Sequence, residues 1–97
     1  MKIVWSPLTL DRIGEIADDI AQDNSLAASE WVESVFIKVG RLVRFPESGR
    51  IVPEIKRADI REIIIGNYRM IYRIRHSRVA ILTIRHGQQR LLGTGID

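Results

Sequence analysis

The spacing of apolar positions changes along the chain, and the changes mark out the elements. "KIVW" (2–5) is a short run of β-formers and reads as a strand. Ser6 is then placed to cap a helix, with Pro7 at its first position, where a missing N–H costs nothing. Leu10, Ile13, Ile16, Ala17 and Ile20 recur at three- and four-residue steps, while Asp11, Glu15, Asp18 and Asp19 fill the other positions. "DNS" (23–25) breaks this helix and offers a cap for the next. The second helix is predicted from about Leu26 to Phe45, with Ala28, Trp31, Val32, Val35, Phe36, Val39, Leu42 and Val43 on its apolar face. Pro46 stops it, and "PESG" is turn chemistry. Gly14 and Gly40 interrupt the two helices, and close helix–helix approach is the simplest reason for both.

Beyond Gly49 the period becomes two. "IREIII" (60–65), "YRMIYRIR" (68–75) and "RVAILTIRH" (78–86) read as strands, separated by "GN" and "HS". The order β-α-α-β-β-β predicts an α+β fold, a helical hairpin packed on a small antiparallel sheet. On the middle strand Tyr68, Met70, Tyr72 and Ile74 share one face, and Arg69, Ile71, Arg73 and Arg75 share the other. A three-residue loop to the last strand would gather Arg69, Arg73, Thr83 and Arg85 on one surface. A two-residue loop would scatter them. The first register is expected because it separates charge from the aromatics.

Composition narrows the picture further. At 97 residues a single domain spanning 1–97 is expected, large enough to bury about two-thirds of its unfolded surface. Without cysteine the chain has neither disulfides nor thiolate metal sites. Its opening residues carry too short an apolar run for a signal peptide, and no segment approaches spanning length, so a cytoplasmic location without membrane attachment is expected. The net charge of +3 conceals an asymmetry: residues 1–40 sum to −4 and residues 41–97 to +7. A basic half suits a polyanionic or acidic partner, and a solvated surface is the plain alternative.

Few residues offer chemistry. His76 and His86 stand ten residues apart on different elements, so no metal site is expected. "GTG" (93–95) has neither the following helix nor the lysine of a phosphate loop, and no cofactor is expected. What remains is metal-free work on a phosphodiester. RNA can be cleaved through its own 2′-OH by a base, a cation for the phosphorane charge and an acid for the leaving oxygen. Glu54, Arg69 and His86 could fill those roles in that order. Against this, Glu54 could be a solvated loop carboxylate, Arg69 a surface side chain stacked on Tyr68 or paired with Glu62, and His86 a hydrogen-bonded strand end.

The segments "VWSPLTLDRIGEIADDIAQDNSLAASEWV" (4–32), "FPESGRIVPEI" (45–55), "IREIIIGNYRMIYRI" (60–74) and "VAILTIRHGQQR" (79–90) together resemble the RelE/ParE toxin superfamily, closest to its ParE branch. The resemblance implies the toxin half of a bacterial type II toxin–antitoxin pair, neutralised by a cognate antitoxin with a flexible acidic or amphipathic segment. It also implies one of two targets on one fold. RelE-like members cleave mRNA on the ribosome without a metal, and ParE-like members inhibit DNA gyrase without cleaving. Where RelE carries two strand lysines, this chain has Ile60 and Glu62, and it has no tyrosine after Tyr72; only Arg69 matches. Glu54, Arg69 and His86 fall where a YoeB-like branch places its catalytic groups, but "HGQQR" lacks that branch's terminal aromatic. The resemblance therefore points first to a gyrase-binding toxin, with Arg61, Arg73, Arg85 and Arg90 as target or antitoxin contacts beside Arg69. The alternatives are an mRNA endonuclease using Glu54, Arg69 and His86, and a decayed toxin that retains only antitoxin binding.

Overall fold

The computed structural model of the chain describes residues 1–88. Its elements are β1 (Lys2–Trp5), α1 (Pro7–Asp23), α2 (Ser25–Gly40), a 3-10 turn (Arg41–Val43), β2 (Arg50–Ile51), β3 (Ile60–Ile65), β4 (Tyr68–Arg75) and β5 (Arg78–His86). The five strands form one sheet in the order β1-β5-β4-β3-β2. The α+β class follows as expected, but the sheet is mixed. β1 lies parallel to β5, since the helical hairpin carries the chain back before the last strand is laid down, while the other pairs are antiparallel. The two-residue strand β2 had no signal of its own in the sequence.

The helix starts obey their capping residues. Ser6 Oγ accepts the Thr9 N–H at 3.1 Å and reaches the Leu82 carbonyl at 3.1 Å, so the cap of α1 is fastened to β5. Asn24 ends one helix and begins the other: its N–H donates to Ile20 O, and its Oδ1 accepts the Ala27 N–H. α2 stops at Gly40, and the 3-10 turn carries the chain on toward Pro46.

Ile13, Val35, Val39 and Leu42 from the helical layer meet Ile65, Met70, Tyr72, Val79, Ile81 and Ile84 from the sheet. Each fully buried aliphatic side chain here contributes about 1.5–3 kcal/mol. Leu10, Phe36 and Val43, expected on the apolar stripes, are instead 46%, 48% and 42% exposed, because the stripes are wider than the surface the sheet offers. The reading of Gly14 and Gly40 is also corrected: a Cβ at either would meet nothing within 4 Å, so neither marks a tight helix crossing.

The β4–β5 hairpin corrects the expected loop but keeps its consequence. The loop has two residues, His76 and Ser77, at φ 53° and 58°, with Arg75 paired to Arg78. A β-bulge at Leu82 then shifts the register, so that Ile71 pairs with Thr83, Arg69 with Arg85 and Tyr68 with His86. Paired residues share a face, and the arginines are gathered by the bulge rather than by the loop. The same outer face carries a second apolar cluster, in which Val52 and Ile55 from the 52–59 loop pack on Ile60, Ile71 and Leu82. That loop delivers Glu54 to the sheet.

Candidate functional site: an arginine between two carboxylates

Glu62 is the one carboxylate in the isoleucine-rich β3, at a position the pleat turns toward the outer face, and its side chain is fully buried. Its direct partners are Ile71 on β4 and Arg50 on β2. Arg69, diagonal to it, donates from Nε to Glu62 Oε1 at 2.8 Å, with Nη2 2.6 Å from the same oxygen. From the other side, Arg69 Nη1 donates to Glu54 Oε2 at 2.7 Å and Nη2 to Glu54 Oε1 at 2.8 Å. Arg50 Nε donates to the second oxygen of Glu62. The result is a chain of alternating charges, Glu54–Arg69–Glu62–Arg50, with the Arg69 side chain only 6% exposed. Hydrogen bonds to Glu54 and then Glu62 hold Arg69 protonated above even an arginine's ordinary range, against the opposing cost of burial. The like-charged neighbour across the strand, Arg85, is thereby faced by a guanidinium whose charge two carboxylates already balance.

The three residues proposed for phosphodiester cleavage are not gathered at one point. Glu54 and Arg69 meet, but His86 pairs with Tyr68, and neighbouring residues on a strand point to opposite faces. The His86 ring lies edge-on to Tyr68 at 5.6 Å, and its Nδ1 accepts the Gln88 N–H. Tyr68 in turn packs edge-on against Trp31 of α2. His86 therefore points to the helical side, and a cleft of about 270 Å³ lined by Arg12, Glu15, Ile16, Tyr68, Ile84, Arg85 and His86 opens beside it. Arg12 is fixed there by Thr83 Oγ1 and the Ile84 carbonyl.

The other candidate cations have distinct settings. Arg61 donates to the carbonyls of Ala58, Glu47 and Gly49, bracing the turn before β2. Arg73 donates to Asp59 at 3.2 Å, and both are a third exposed. Arg85 is half-buried opposite Arg69. Arg90 lies outside the described residues. Tyr68 and Tyr72 are core-facing, and Tyr72 adds a polar anchor: its hydroxyl donates to Pro46 O at 2.6 Å and accepts the Gly49 N–H at 3.0 Å. Burial pushes this phenol above its ordinary pKa, with the Gly49 N–H pulling the other way. Among the described residues no three His, Asp or Glu side chains gather as a metal site, and no helix is long and apolar enough to cross a membrane.

Arg50 and Glu62 are the members of the cluster that were not singled out as candidates. Glu62 left a signal, an acid inside "IREIII", whereas Arg50 was one cation in a turn.

Two helices on a five-stranded mixed sheet, with a charged cluster buried on its outer face, define a small α+β protein. A solved structure titled "Chromosomal ParDE TA system from P. aeruginosa" shares this fold with a TM-score of 0.73 at 17% identity, covering 89% of this chain and 95% of that one. A Sinorhizobium fredii (strain NBRC 101917 / NGR234) protein named "Putative toxin Y4kP" is 34% identical over 90 residues, which is 92% of this chain and 91% of the relative. The family described as "ParE toxin of type II toxin-antitoxin system, parDE" matches residues 3–91. The chain belongs to that family, and is a ParE-type toxin of a type II toxin–antitoxin system.

Proposed function

We propose that this toxin works in the cytoplasm by binding and inhibiting DNA gyrase, and that a cognate antitoxin restrains it. The reading starts from membership of the ParE family, and the saturation of Arg69 supports binding over cleavage. Its Nε, Nη1 and Nη2 are all engaged by Glu54 and Glu62. A phosphate approaching this guanidinium would have to displace a carboxylate and leave it poorly compensated in a buried setting. Both oxygens of Glu54, the candidate base, accept from Arg69, and His86, the candidate acid, faces the helical side. Catalysis needs these groups within hydrogen-bond reach of one substrate. Binding needs only a rigid, charged surface, and the cluster supplies the rigidity.

In this reading Arg69 supports the outer face from within, and Arg73 and Arg85 beside it make target or antitoxin contacts. Arg61 contributes by holding the 47–49 turn in place. The test is a supercoiling assay with purified gyrase and relaxed plasmid. Inhibition that rises with toxin concentration and is reversed by the antitoxin supports the proposal. Uninhibited supercoiling, by a toxin that still binds its antitoxin, would overturn it.

A further inference from the structure

The solvent side of α2 carries a charge pattern that complements itself. Leu26, Glu30, Glu33, Ile37, Gly40, Arg41 and Arg44 recur at three- and four-residue steps, and all seven are exposed. The stripe is acidic in its first half and basic in its second. None of the side chains of Glu30, Glu33, Arg41 and Arg44 has a hydrogen-bond or ion-pair partner among the described residues. Lys38, on the flank of the stripe, is already held by the Ile64 carbonyl.

We propose that this stripe is a docking surface for a second copy of the chain, with the two α2 helices antiparallel and the dyad passing near Ile37. From Ile37, Glu33 lies about 6 Å toward one end and Arg41 about 6 Å toward the other. Glu30 and Arg44 lie about 10 and 12 Å away on the same two sides. A two-fold axis at Ile37 therefore sets Glu33 against Arg41 and Glu30 against Arg44, each pair occurring twice. Leu26 and Phe45, 66% and 64% exposed, meet at the two ends, and Ile37, 51% exposed, meets its own copy in the middle.

Gly40 supplies an independent observation. Its φ of −57° and ψ of −31° are ordinary helical values, and a Cβ there would meet nothing in its own chain. Neither conformation nor internal packing calls for glycine, which weakens a helix relative to alanine. Across the proposed dyad Gly40 faces Ser34, and two small residues let the helix axes approach. A generally acidic partner would be attracted to Arg41 and Arg44 but repelled by Glu30 and Glu33. A parallel copy would set like charges together. Of these three, the antiparallel copy is the one that satisfies both halves.

A contact of two helices lies at the small end of specific interfaces, so dimerisation should be reversible and concentration-dependent. Sedimentation velocity of the full chain, over a concentration series reaching the submillimolar range, tests this directly. By symmetry Glu33→Arg or Arg41→Glu converts two attractive pairs into two repulsive ones. Each should weaken the dimer at least about tenfold, and the double variant should recover to within about threefold of the parent. Gly40→Leu should abolish the dimer while leaving the circular dichroism of the monomer unchanged. A chain monomeric throughout the series would overturn the proposal. So would a dimer indifferent to the single reversals, or a double variant no better than either single one.

Discussion

Arg69 is forked onto Glu54, with Nη1 to Oε2 at 2.7 Å and Nη2 to Oε1 at 2.8 Å. Bidentate geometry of this kind is the strongest form of the pair, and it joins the 52–59 loop to the centre of the sheet. Because Arg69 also serves Glu62, the pair is one part of a buried network whose worth depends on completeness.

Removing one member should be costly. Glu62→Leu leaves Arg69 buried with half its compensation, and a loss of about 3–5 kcal/mol is expected. Arg69→Met leaves Glu62 buried beside Arg50 alone, and a similar loss is expected. Removing both should be cheaper than either single change, because the remaining ions, Glu54 and Arg50, can turn to water. Urea unfolding of the two single variants and the double variant checks this, and additive losses would count against the network.

Tyr72 provides a second buried anchor with a pH signature. Tyr72→Phe strands the Gly49 N–H and one lone pair of Pro46 O, at about 1–3 kcal/mol. Since the folded phenol titrates above its ordinary 10.0, the folded state keeps a proton that the unfolded chain releases. That stability is complete below about pH 10 and is lost as pH rises through the folded value. Unfolding curves across the alkaline range should fall more steeply for the parent than for Tyr72→Phe. Parallel declines would mean that Tyr72 does not carry the effect.

The β4–β5 loop holds two non-glycine residues at positive φ, His76 and Ser77. Asn-Gly suits the same turn without that strain, so replacing His76-Ser77 by Asn-Gly should stabilise the fold by about 1 kcal/mol. Thermal unfolding measures the gain. A loss would show that His76, whose Nε2 accepts from Arg75 Nε at 3.1 Å, contributes more than the turn costs.

The antitoxin proposed above should bind in a salt-sensitive way. The outer face presents Arg73, Arg75, Arg78 and Arg85, and attraction between exposed charges is screened within about 8–10 Å at physiological ionic strength. Affinity measured by calorimetry should fall as salt rises. An affinity unchanged from low to high salt would place the docking on apolar surface instead.

The elements were legible in the sequence because their signals are local. Ser6-Pro7 and Asn24 cap the helices and "GN" and "HS" turn the strands, whereas α2 stops at Gly40, short of the Phe45 expected from Pro46. The hairpin register was harder, since it turns on a bulge at Leu82, whose carbonyl accepts from the Ser6 hydroxyl, a contact between residues 76 positions apart. The edge strand β2 was invisible because two residues carry no period. In the candidate site, Arg69 stood out, and Glu62 was already its alternative partner. That Glu54 would close on Arg69 while His86 turned away could not be read, because it depends on the loop fold and on that bulge. One residue of register moves a side chain from one face of a sheet to the other.

The proposed toxin grips its target and does not cut. The most direct measurement is a paired assay of the parent chain and His86→Ala, scoring gyrase supercoiling and mapping mRNA ends in a translating extract. His86 is exposed and lies on the face away from Arg69, so the substitution should leave the fold intact. Equal gyrase inhibition by both chains is expected, with no new mRNA ends from either. Ribosome-associated cleavage by the parent that disappears in His86→Ala would contradict it.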